Sequence, residues 1–300
     1  TRYNIHFNAN EAYKETLKAR SQGQEDNFSQ MLYIFPDNSD SASMQAPGGS
    51  FTTTIDKTTK AIKLHSIKAK PRRDPKRRND EKYQAWLQQK EYTPFMDQVW
   101  LLLAKAEFYE ANYLRAITTF MYITKIYSSD PDIVAEFQLW ISRAYTEMGW
   151  MYEAGNILYK MEIAGGAPES QKALYSAVKA NYLVRNKEYA EAVPHLEYAI
   201  KKEKDKNQKL RLKYLLGQLH IETGDKTAAA KAFSNVYGMN TPYKFTFNAK
   251  LQELQLNASR KTSDVISSLR SMAKNSKNKD YKDQVYNTIG NIYLQQQDTA

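Results

Sequence analysis

The sequence predicts an all-α protein built as a right-handed solenoid of helix pairs. Composition is the first reason, because 300 residues contain only 11 glycines and 9 prolines, which suits long helices. The second reason is a repeat. Four alanines in equivalent surroundings lie 38, 38 and 37 residues apart, at Ala116, Ala154, Ala192 and Ala229. A nearly constant period of this length is typical of architectures in which each unit packs only on its neighbours.

The clearest copy of the repeat lies between Trp100 and Phe120. It reads W-x2-L-small, then a turn, then A-x3-F, with Ala104 and Ala116 as the small residues. Trp100 and Ala104 lie on one helix face, and the two alanines allow the paired helices to approach closely. This pattern is the signature of a tetratricopeptide repeat (TPR), two antiparallel helices in about 34 residues. We therefore predict a TPR helical solenoid.

Later copies keep the register of the first. The corresponding residues are Tyr145, Gly149, Met151, Ala154 and Leu158 in the second copy, Ala180, Tyr189, Ala192 and Leu196 in the third, and Leu216, Gly217, Gly224, Ala229 and Phe233 in the fourth. A fifth, degenerate copy is predicted over 245–273, and a sixth begins at Ile289 without being completed. Glu107 and Lys187 depart from the pattern, which has Tyr and Gly at those positions. The predicted core anchors are Trp100, Ala104, Phe120, Trp140, Tyr145, Ala154, Ala192, Gly217 and Phe233.

Turn and cap signals divide the array into separate helices. Turns inside the repeats are predicted at Ala111-Asn112, Gly149-Trp150, Lys187-Glu188 and Gly224-Asp225. A capping residue before a proline at the first helical position is predicted for the pairs Thr93-Pro94, Asp130-Pro131 and Thr241-Pro242. The segment from Gly165 to Pro168 is expected to start the third copy in a similar way.

The residues before the array are predicted to form separate elements. In order along the chain these are a helix over 2–19, a polar linker at 22–27, a short apolar piece at 28–35, a loop over 36–50 and a helix over 52–67. A further helix over about 80–90 should be capped by Asn79. The expected domains are a divergent N-terminal helical pair with a long loop (1–67), a basic linker with a connecting helix (68–92) and the TPR solenoid with an incomplete last repeat (93–300).

Much of the net charge of +10 is concentrated in one short run. Seven cations face one carboxylate, Asp74, over residues 68–78: Lys68, Lys70, Arg72, Arg73, Lys76, Arg77 and Arg78. Pro71 and Pro75 prevent a continuous helix there. The run is either a solvated linker or an electrostatic contact with an acidic protein, with anionic lipid headgroups or with nucleic acid. Nucleic acid is not expected, because the run lacks the interleaved aromatic residues of single-strand binders.

A second candidate surface is the concave side of the solenoid, which such arrays use for partners. The residues predicted to line it are Lys105, Arg143, Asn181 and Gln218 in one row, with Tyr109, Arg185, Arg211 and Tyr214 nearby. This polar to basic row favours an acidic or extended polypeptide, and the alternative is a groove that is merely solvated. The Lys/Asn clamp for peptide carboxylates is not matched, since its Asn positions hold Leu101, Leu139, Ala177 and Tyr214. A third apolar surface, at Ile289, Ile292 and Tyr293, is predicted on a helix without its partner.

The sequence contains no pattern that indicates catalysis. None of its four histidines has a metal-ligand partner three or four residues away, and it has no cysteine, so no metal site, cofactor or disulfide is expected. Phosphate-binding and nucleophile motifs are missing as well, and we expect no enzyme. No run reaches the roughly 18 apolar residues of a membrane span. The chain opens without a signal peptide and stops inside a repeat, so we expect it to be part of a longer protein.

The N-terminal half resembles one family. The opening TRYNIHFNANEAYKE is similar to the "T-x-YN-x-YFN" start of PorW/SprE-type proteins, and KAIKLHSI and MDQVWLLLAKAEFYEANYLRAITTF also resemble that family, over about residues 1–160. These are TPR lipoproteins of Bacteroidota that act in type IX secretion and gliding motility. The resemblance implies a periplasmic protein attached to the inner face of the outer membrane through a lipidated Cys upstream of Thr1.

The resemblance further implies a non-catalytic scaffold that links periplasmic ring components to the outer-membrane translocon. Secretion-ring or translocon proteins would then be its partners. Two other functions stay open at this stage. One is a generic peptide- or protein-binding TPR module of the bacterial envelope, unrelated to secretion. The other is an envelope accessory enzyme whose catalytic domain lies outside this sequence.

Overall fold

The computed structural model describes residues 2–23, 25–35, 49–238, 241–258 and 262–297. Within these ranges the regular elements are all helical, as predicted, and fourteen of them are α-helices. Most helices pack against a neighbour in the sequence, an arrangement compatible with a helical repeat solenoid. Of the loop predicted over 36–50, residues 36–48 lie outside the described ranges.

The chain forms two compact units. Unit 1 comprises Thr1–Asp26 and Phe35–Lys187, and unit 2 comprises Asn27–Ile34 and Glu188–Ala300. The helices of unit 1 are α1 Arg2–Gly23, α2 Thr52–His65, α3 Glu81–Gln88, α4 Met96–Tyr109, α5 Tyr113–Ile126, α6 Pro131–Glu147, α7 Met151–Ile163 and α8 Lys172–Arg185. Those of unit 2 are α9 Tyr189–Lys202, α10 Lys206–Glu222, α11 Lys226–Ser234, α12 Tyr243–Asn257, α13 Thr262–Lys274 and α14 Lys282–Gln297.

All four predicted turns are confirmed, and each contains a left-handed residue. The φ angles are 58° at Ala111, 74° at Gly149, 61° at Lys187 and 81° at Gly224. After α6 the Trp150 N–H donates to the Tyr145 carbonyl, which closes the Schellman motif typical of helix C-termini. Glycine enters the left-handed region without steric penalty, whereas an L side chain there is strained. Ala111 and Lys187 therefore carry strain that the two glycines avoid.

The cap predictions are only partly confirmed. Asp130 caps α6 as predicted, accepting from the N–H groups of Asp132 and Ile133, with Pro131 at the first helical position. The prediction for Thr93-Pro94 was wrong, because α4 begins at Met96 after a left-handed Phe95. Thr93 instead donates its hydroxyl proton to the carbonyl of His65.

Three further boundaries were also misplaced by one to four residues. Asp80, not Asn79, caps α3 by accepting from the Tyr83 N–H. The helix predicted after Thr241-Pro242 begins at Tyr243, and Pro242 offers it no side-chain cap. After Pro168 a short 3-10 helix at Glu169–Gln171 precedes α8. In each case the local signal was correct in kind, and the first two differences are of the one- or two-residue size by which helix ends commonly vary.

Seven of the nine predicted core anchors lie in tightly packed interior positions. Ala104, Phe120, Ala154, Ala192 and Phe233 are fully buried, and Trp140 is 6% exposed. At Gly217 an added Cβ would lie 2.7 Å from the Phe233 ring, so the glycine allows α10 and α11 to approach closely. Trp100 and Tyr145 are half-buried and pack against the edge of a core cluster that includes Phe120 and Trp140.

Helices α1 and α2 pack on each other, and both pack on α4. Arg20, in the last turn of α1, contacts the C-terminal end of α4. Its guanidinium donates to the Tyr109 carbonyl at 2.6 Å and pairs with Glu110 at 3.0 Å. The same group donates to the Gly49 carbonyl at 3.0 Å. Residue 49, where the described chain resumes after residue 35, is therefore held beside the end of α1.

The predicted unpaired end was wrong. Ile289 and Ile292 of α14 are buried in a cluster with residues of α12 and α13, including Phe247 and Leu269. Tyr293 alone of the three remains exposed, at 43%. The last described helix thus has apolar partners within unit 2.

Replacing Gly217 by Ala should destabilise the chain by about 1–2 kcal/mol. The added Cβ would overlap the Phe233 ring, which costs about 1–3 kcal/mol in a packed core. The better helix propensity of Ala returns up to about 1 kcal/mol. Gly290→Ala is the matched control, because in the described residues no heavy atom lies within 4 Å of a Cβ built there. It should stabilise by about 0.5–1 kcal/mol. Urea denaturation of both variants measures the difference, and equal stability of the two would contradict the packing.

Candidate functional site

The seven cations of the basic run are all exposed. They follow α2 in a segment, here called the basic strap (residues 66–78), that has no α-helix and contains one 3-10 turn at Pro75–Arg77. This agrees with the prediction that the two prolines interrupt a helix. Hydrogen bonds hold the strap at both ends, through Glu91 at the first and Tyr83 at the second.

At the first end, the buried carboxylate of Glu91 binds the strap. It accepts from the Ser66 hydroxyl, from the Ile67 N–H at 2.9 Å and from the Thr93 N–H at 3.0 Å. The Tyr92 N–H donates to the Ile67 carbonyl at 3.0 Å. Glu91 is 3% exposed, so these donors satisfy a carboxylate that water barely reaches.

At the second end, Tyr83 of α3 supports the strap. Its hydroxyl oxygen accepts from the Asp74 N–H at 2.8 Å, and the Arg77 guanidinium lies 4.4 Å from its ring centroid. Arg77 also pairs with Asp80 at 2.7 Å, and this hydrogen bond lowers the pKa of the Asp80 carboxyl. The cations are consequently presented on a fixed backbone.

An open cavity of about 450 Å³ lies beside the strap. Lys68, Lys70 and Lys90 line it together with Tyr92 and Tyr122. The Lys68 ammonium donates to the Tyr122 hydroxyl and lies 4.9 Å from the centroid of that ring. Three ammonium groups around one concavity favour an anionic group, such as a carboxylate side chain of a partner.

The predicted inner row lies in less solvated surroundings than expected. Lys105 pairs with Glu136 at 3.2 Å and lies 4.9 Å from the Trp140 ring centroid. Burial lowers the pKa of the Lys105 ammonium, and the Glu136 carboxylate opposes this shift. The Glu147 carboxylate accepts from Arg185 at 3.0 Å and from Asn181 at 3.4 Å.

Arg143 is 2% exposed and lies inside a cage of aromatic rings. Its guanidinium carbon lies 3.8 Å from the centroid of Phe35, 4.7 Å from Phe108, 4.8 Å from Trp140 and 5.7 Å from Tyr109. Such cation–π contacts stabilise a desolvated cation. In unit 1 the cations of the predicted row therefore already have partners from the same chain.

In unit 2, residues of the predicted row bind a segment of the same chain. Tyr214 donates its hydroxyl proton to the Phe28 carbonyl at 3.1 Å. Gln218 makes two bonds, donating to the Gln30 carbonyl at 2.6 Å and accepting from the Leu32 N–H at 2.9 Å. Burial raises the pKa of the Tyr214 hydroxyl further above neutral pH. Two residues predicted to bind a polypeptide thus bind residues 28–32.

Arg211 supports this contact through Gln208, which itself binds the segment. It is 7% exposed and donates to the Gln208 amide oxygen at 3.0 Å. The Gln208 amide nitrogen is then directed to the Ile34 carbonyl, to which it donates at 2.7 Å. Phe245 of α12 also contacts this segment, since its ring centroid lies 5.1 Å from that of Phe28. We call the site formed by Gln208, Tyr214, Gln218 and Phe245 the α10–α12 cleft.

Sequence reasoning missed several acidic residues that hold the interior together. Glu107, noted only as a departure from the repeat, is 1% exposed, pairs with Arg115 at 2.7 Å and accepts from the Thr119 hydroxyl. That departure was the available signal. Glu91 and Glu147 gave none, because neither belongs to a motif. The apolar piece at 28–35 was recognised, but its packing against α10 was not predicted.

In comparisons with known proteins, no family model and no curated protein matches the chain. Among the residues that the structure describes, no group of three or more metal-ligating side chains comes together. A search of the same residues finds no helix long and apolar enough to cross a membrane.

Glu91→Ala should release the first end of the strap. The buried donors of Ile67 and Thr93 would lose their acceptor, at about 1–3 kcal/mol for each unsatisfied group that water does not reach. We expect a loss of about 2–4 kcal/mol in urea denaturation and faster tryptic cleavage between Lys68 and Arg78. Glu222→Ala, at an exposed position, should change stability by less than about 0.5 kcal/mol. Unchanged cleavage in the Glu91 variant would show that the carboxylate does not hold the strap.

Proposed function

We propose that the chain is a non-catalytic protein–protein interaction scaffold, a right-handed TPR solenoid that binds an acidic partner protein through the basic strap. The observation that carries the proposal is the strap itself. Seven exposed cations stand on a backbone held by Glu91 at one end and Tyr83 at the other. A preorganised charged surface loses less conformational entropy on binding than a mobile tail.

The internal pairing of other charges supports the choice of this surface. Lys105 and Arg185 have carboxylate partners within unit 1, and Arg143 lies among aromatic rings. Most strap cations, by contrast, project from a short stretch that carries a single acidic residue. Complementary charge accelerates association and orients a partner, so an acidic protein surface fits the strap best.

The TPR assignment is supported by the helix pairs and by their register. Left-handed residues close all four predicted turns, and small residues stand where paired helices meet, as at Ala104, Ala116 and Gly217. The similarity of residues 1–160 to PorW/SprE-type proteins supports a place in type IX secretion. In that role the protein would lie in the periplasm, attached by an upstream lipid anchor, and would link ring components to the outer-membrane translocon.

A second candidate is a generic peptide-binding TPR module of the envelope, unrelated to secretion. One observation favours it: the α10–α12 cleft binds the main chain of residues 28–34 through side chains. The two candidates differ in the surface that they use and in the partners that they recover.

Neutralising four strap cations should weaken partner binding. Lys70, Arg72, Arg73 and Lys76 are changed to Gln, and the control changes Lys201, Lys202, Lys204 and Lys206, an equally charged exposed set in unit 2. With each contact contributing up to about 1 kcal/mol, the strap variant should bind at least about tenfold more weakly. The measurement is affinity capture from native envelopes at low and high salt, with mass spectrometry and titration of the recovered partner.

The outcomes separate the proposals. Recovery of ring or translocon proteins that is lost with the strap variant, retained with the control and weakened by salt supports the scaffold. Equal recovery by both variants would remove the strap from the interface. Recovery of proteins unconnected with secretion would leave the peptide-binding module as the better description.

A further inference from the structure

The segment 27–34 is bound in unit 2 as a peptide ligand would be. Four hydrogen bonds from three α10 side chains reach its main chain, at the carbonyls of Phe28, Gln30 and Ile34 and at the N–H of Leu32. A side chain that binds main-chain groups recognises backbone conformation without regard to sequence. Specificity must then come from the side chains that the segment buries.

Three apolar side chains supply that specificity. Phe28 is 8% exposed and makes edge-to-face contacts with Tyr214 and Phe245, at centroid distances of 4.9 and 5.1 Å. Leu32 and Ile34 are 4% and 1% exposed. The buried residues therefore follow the spacing F-x3-L-x-I, and the stretch from Asn27 to Phe35 carries no charged residue.

The geometry of unit 1 does not require this segment. The Arg20 guanidinium, in the last turn of α1, donates to the Gly49 carbonyl just before α2. The chain thus leaves the α1–α2 pair and returns to it at nearly one place. A short connection would join the two helices equally well, since an extended chain covers about 3.3–3.6 Å per residue.

We propose that the α10–α12 cleft is a recognition site for an uncharged, non-helical peptide of another protein, with the apolar spacing F-x3-L-x-I, and that residues 27–34 occupy this site in the free chain. The partner peptide displaces the resident segment. The proposal rests on the proposed function as a protein-binding scaffold, but it uses a different surface from the strap.

The resident segment determines how tightly a partner peptide must bind in order to displace it. A segment tethered to its own site acts at an effective concentration on the order of 1 mM. If the vacant cleft binds a peptide with a Kd on the order of 10 μM, occupancy by the resident segment weakens the observed affinity by about 100-fold. A partner succeeds by binding more tightly or by being held nearby through a second contact.

The test uses a fluorescent peptide with the sequence of residues 27–34, blocked at both ends, which carries no charged side chain. In a shortened chain, residues 25–47 are replaced by a Gly/Ser bridge of about six residues, which spans up to about 20 Å. This replacement also removes Phe35 from its contact with Arg143, so Phe35→Ser in the otherwise unaltered chain is the control and should not change peptide affinity. By anisotropy the shortened chain should bind the peptide about 100-fold more tightly than the unaltered chain. Leu32→Ser in the full-length chain, which weakens the resident segment while keeping it attached, should bind about tenfold more tightly than the unaltered chain.

Matched controls locate the binding. Gln218→Ala in the shortened chain removes both of its main-chain bonds and should weaken binding about tenfold. Asn207→Ala, at an exposed position on the same helix, should not change it. A peptide with Ser in place of the residues at positions 28, 32 and 34 should not bind. Circular dichroism confirms that each variant keeps its helix content.

Three results would overturn the proposal. One is absence of saturable binding by both the shortened chain and the Leu32→Ser variant, each with native helix content. Another is equal peptide affinity of the shortened and unaltered chains. The third is a dimer of the unaltered chain that disappears on shortening, because the occupant would then be a second copy. Loss of peptide binding with intact strap-dependent capture would refute this site alone, and the reverse would refute only the strap.

Discussion

The close approach of paired helices is the constraint on which the rest of the structure depends. It is achieved where a residue with little or no side chain meets an aromatic ring, and Gly217 against Phe233 is the sharpest case, since a methyl group would lie 2.7 Å from ring carbons. Ala104, Ala116 and Phe120 make the equivalent contact in unit 1, where all three are fully buried. Once paired helices pack this closely, polar side chains at their margins have little access to water. Each must then find a partner within the protein.

Buried carboxylates are the principal response to that requirement. Glu107 holds Arg115 and Thr119, Glu147 holds Arg185, and Glu91 holds the main chain of the strap. Glu107 and Glu147 thereby neutralise Arg115 and Arg185, while strap cations such as Arg72 and Arg73 project into solvent. The electrostatic asymmetry of the chain follows from this distribution, because a paired interior charge contributes little to the external field. The proposal of a charged interface depends on that asymmetry more than on the net charge.

The same requirement explains how the α10–α12 cleft holds a peptide segment. Tyr214 is fully buried and Arg211 nearly so, and their polar groups are satisfied by the Phe28 carbonyl and by Gln208. Removing residues 27–34 would take the main-chain partners away from Tyr214, Gln208 and Gln218 and would uncover faces of the Tyr214 and Phe245 rings. A cleft with such groups is suited to receive a peptide backbone, and the resident segment supplies one in the free chain.

The sequence by itself determined the all-helical class, the pairing of successive helices and the four turns, because apolar spacing and turn residues act within a few positions along the chain. It also located the exposed cations in a short run interrupted by two prolines, and it identified Tyr214 and Gln218 as candidate contact residues. Only the tertiary structure decided what these residues touch. The cage around Arg143, the Glu91 anchor and the return of residues 27–34 to α10 join positions from about 24 to 190 residues apart in the sequence. Contacts at such separations depend on which surfaces the packed helices bring together, and no local pattern records them.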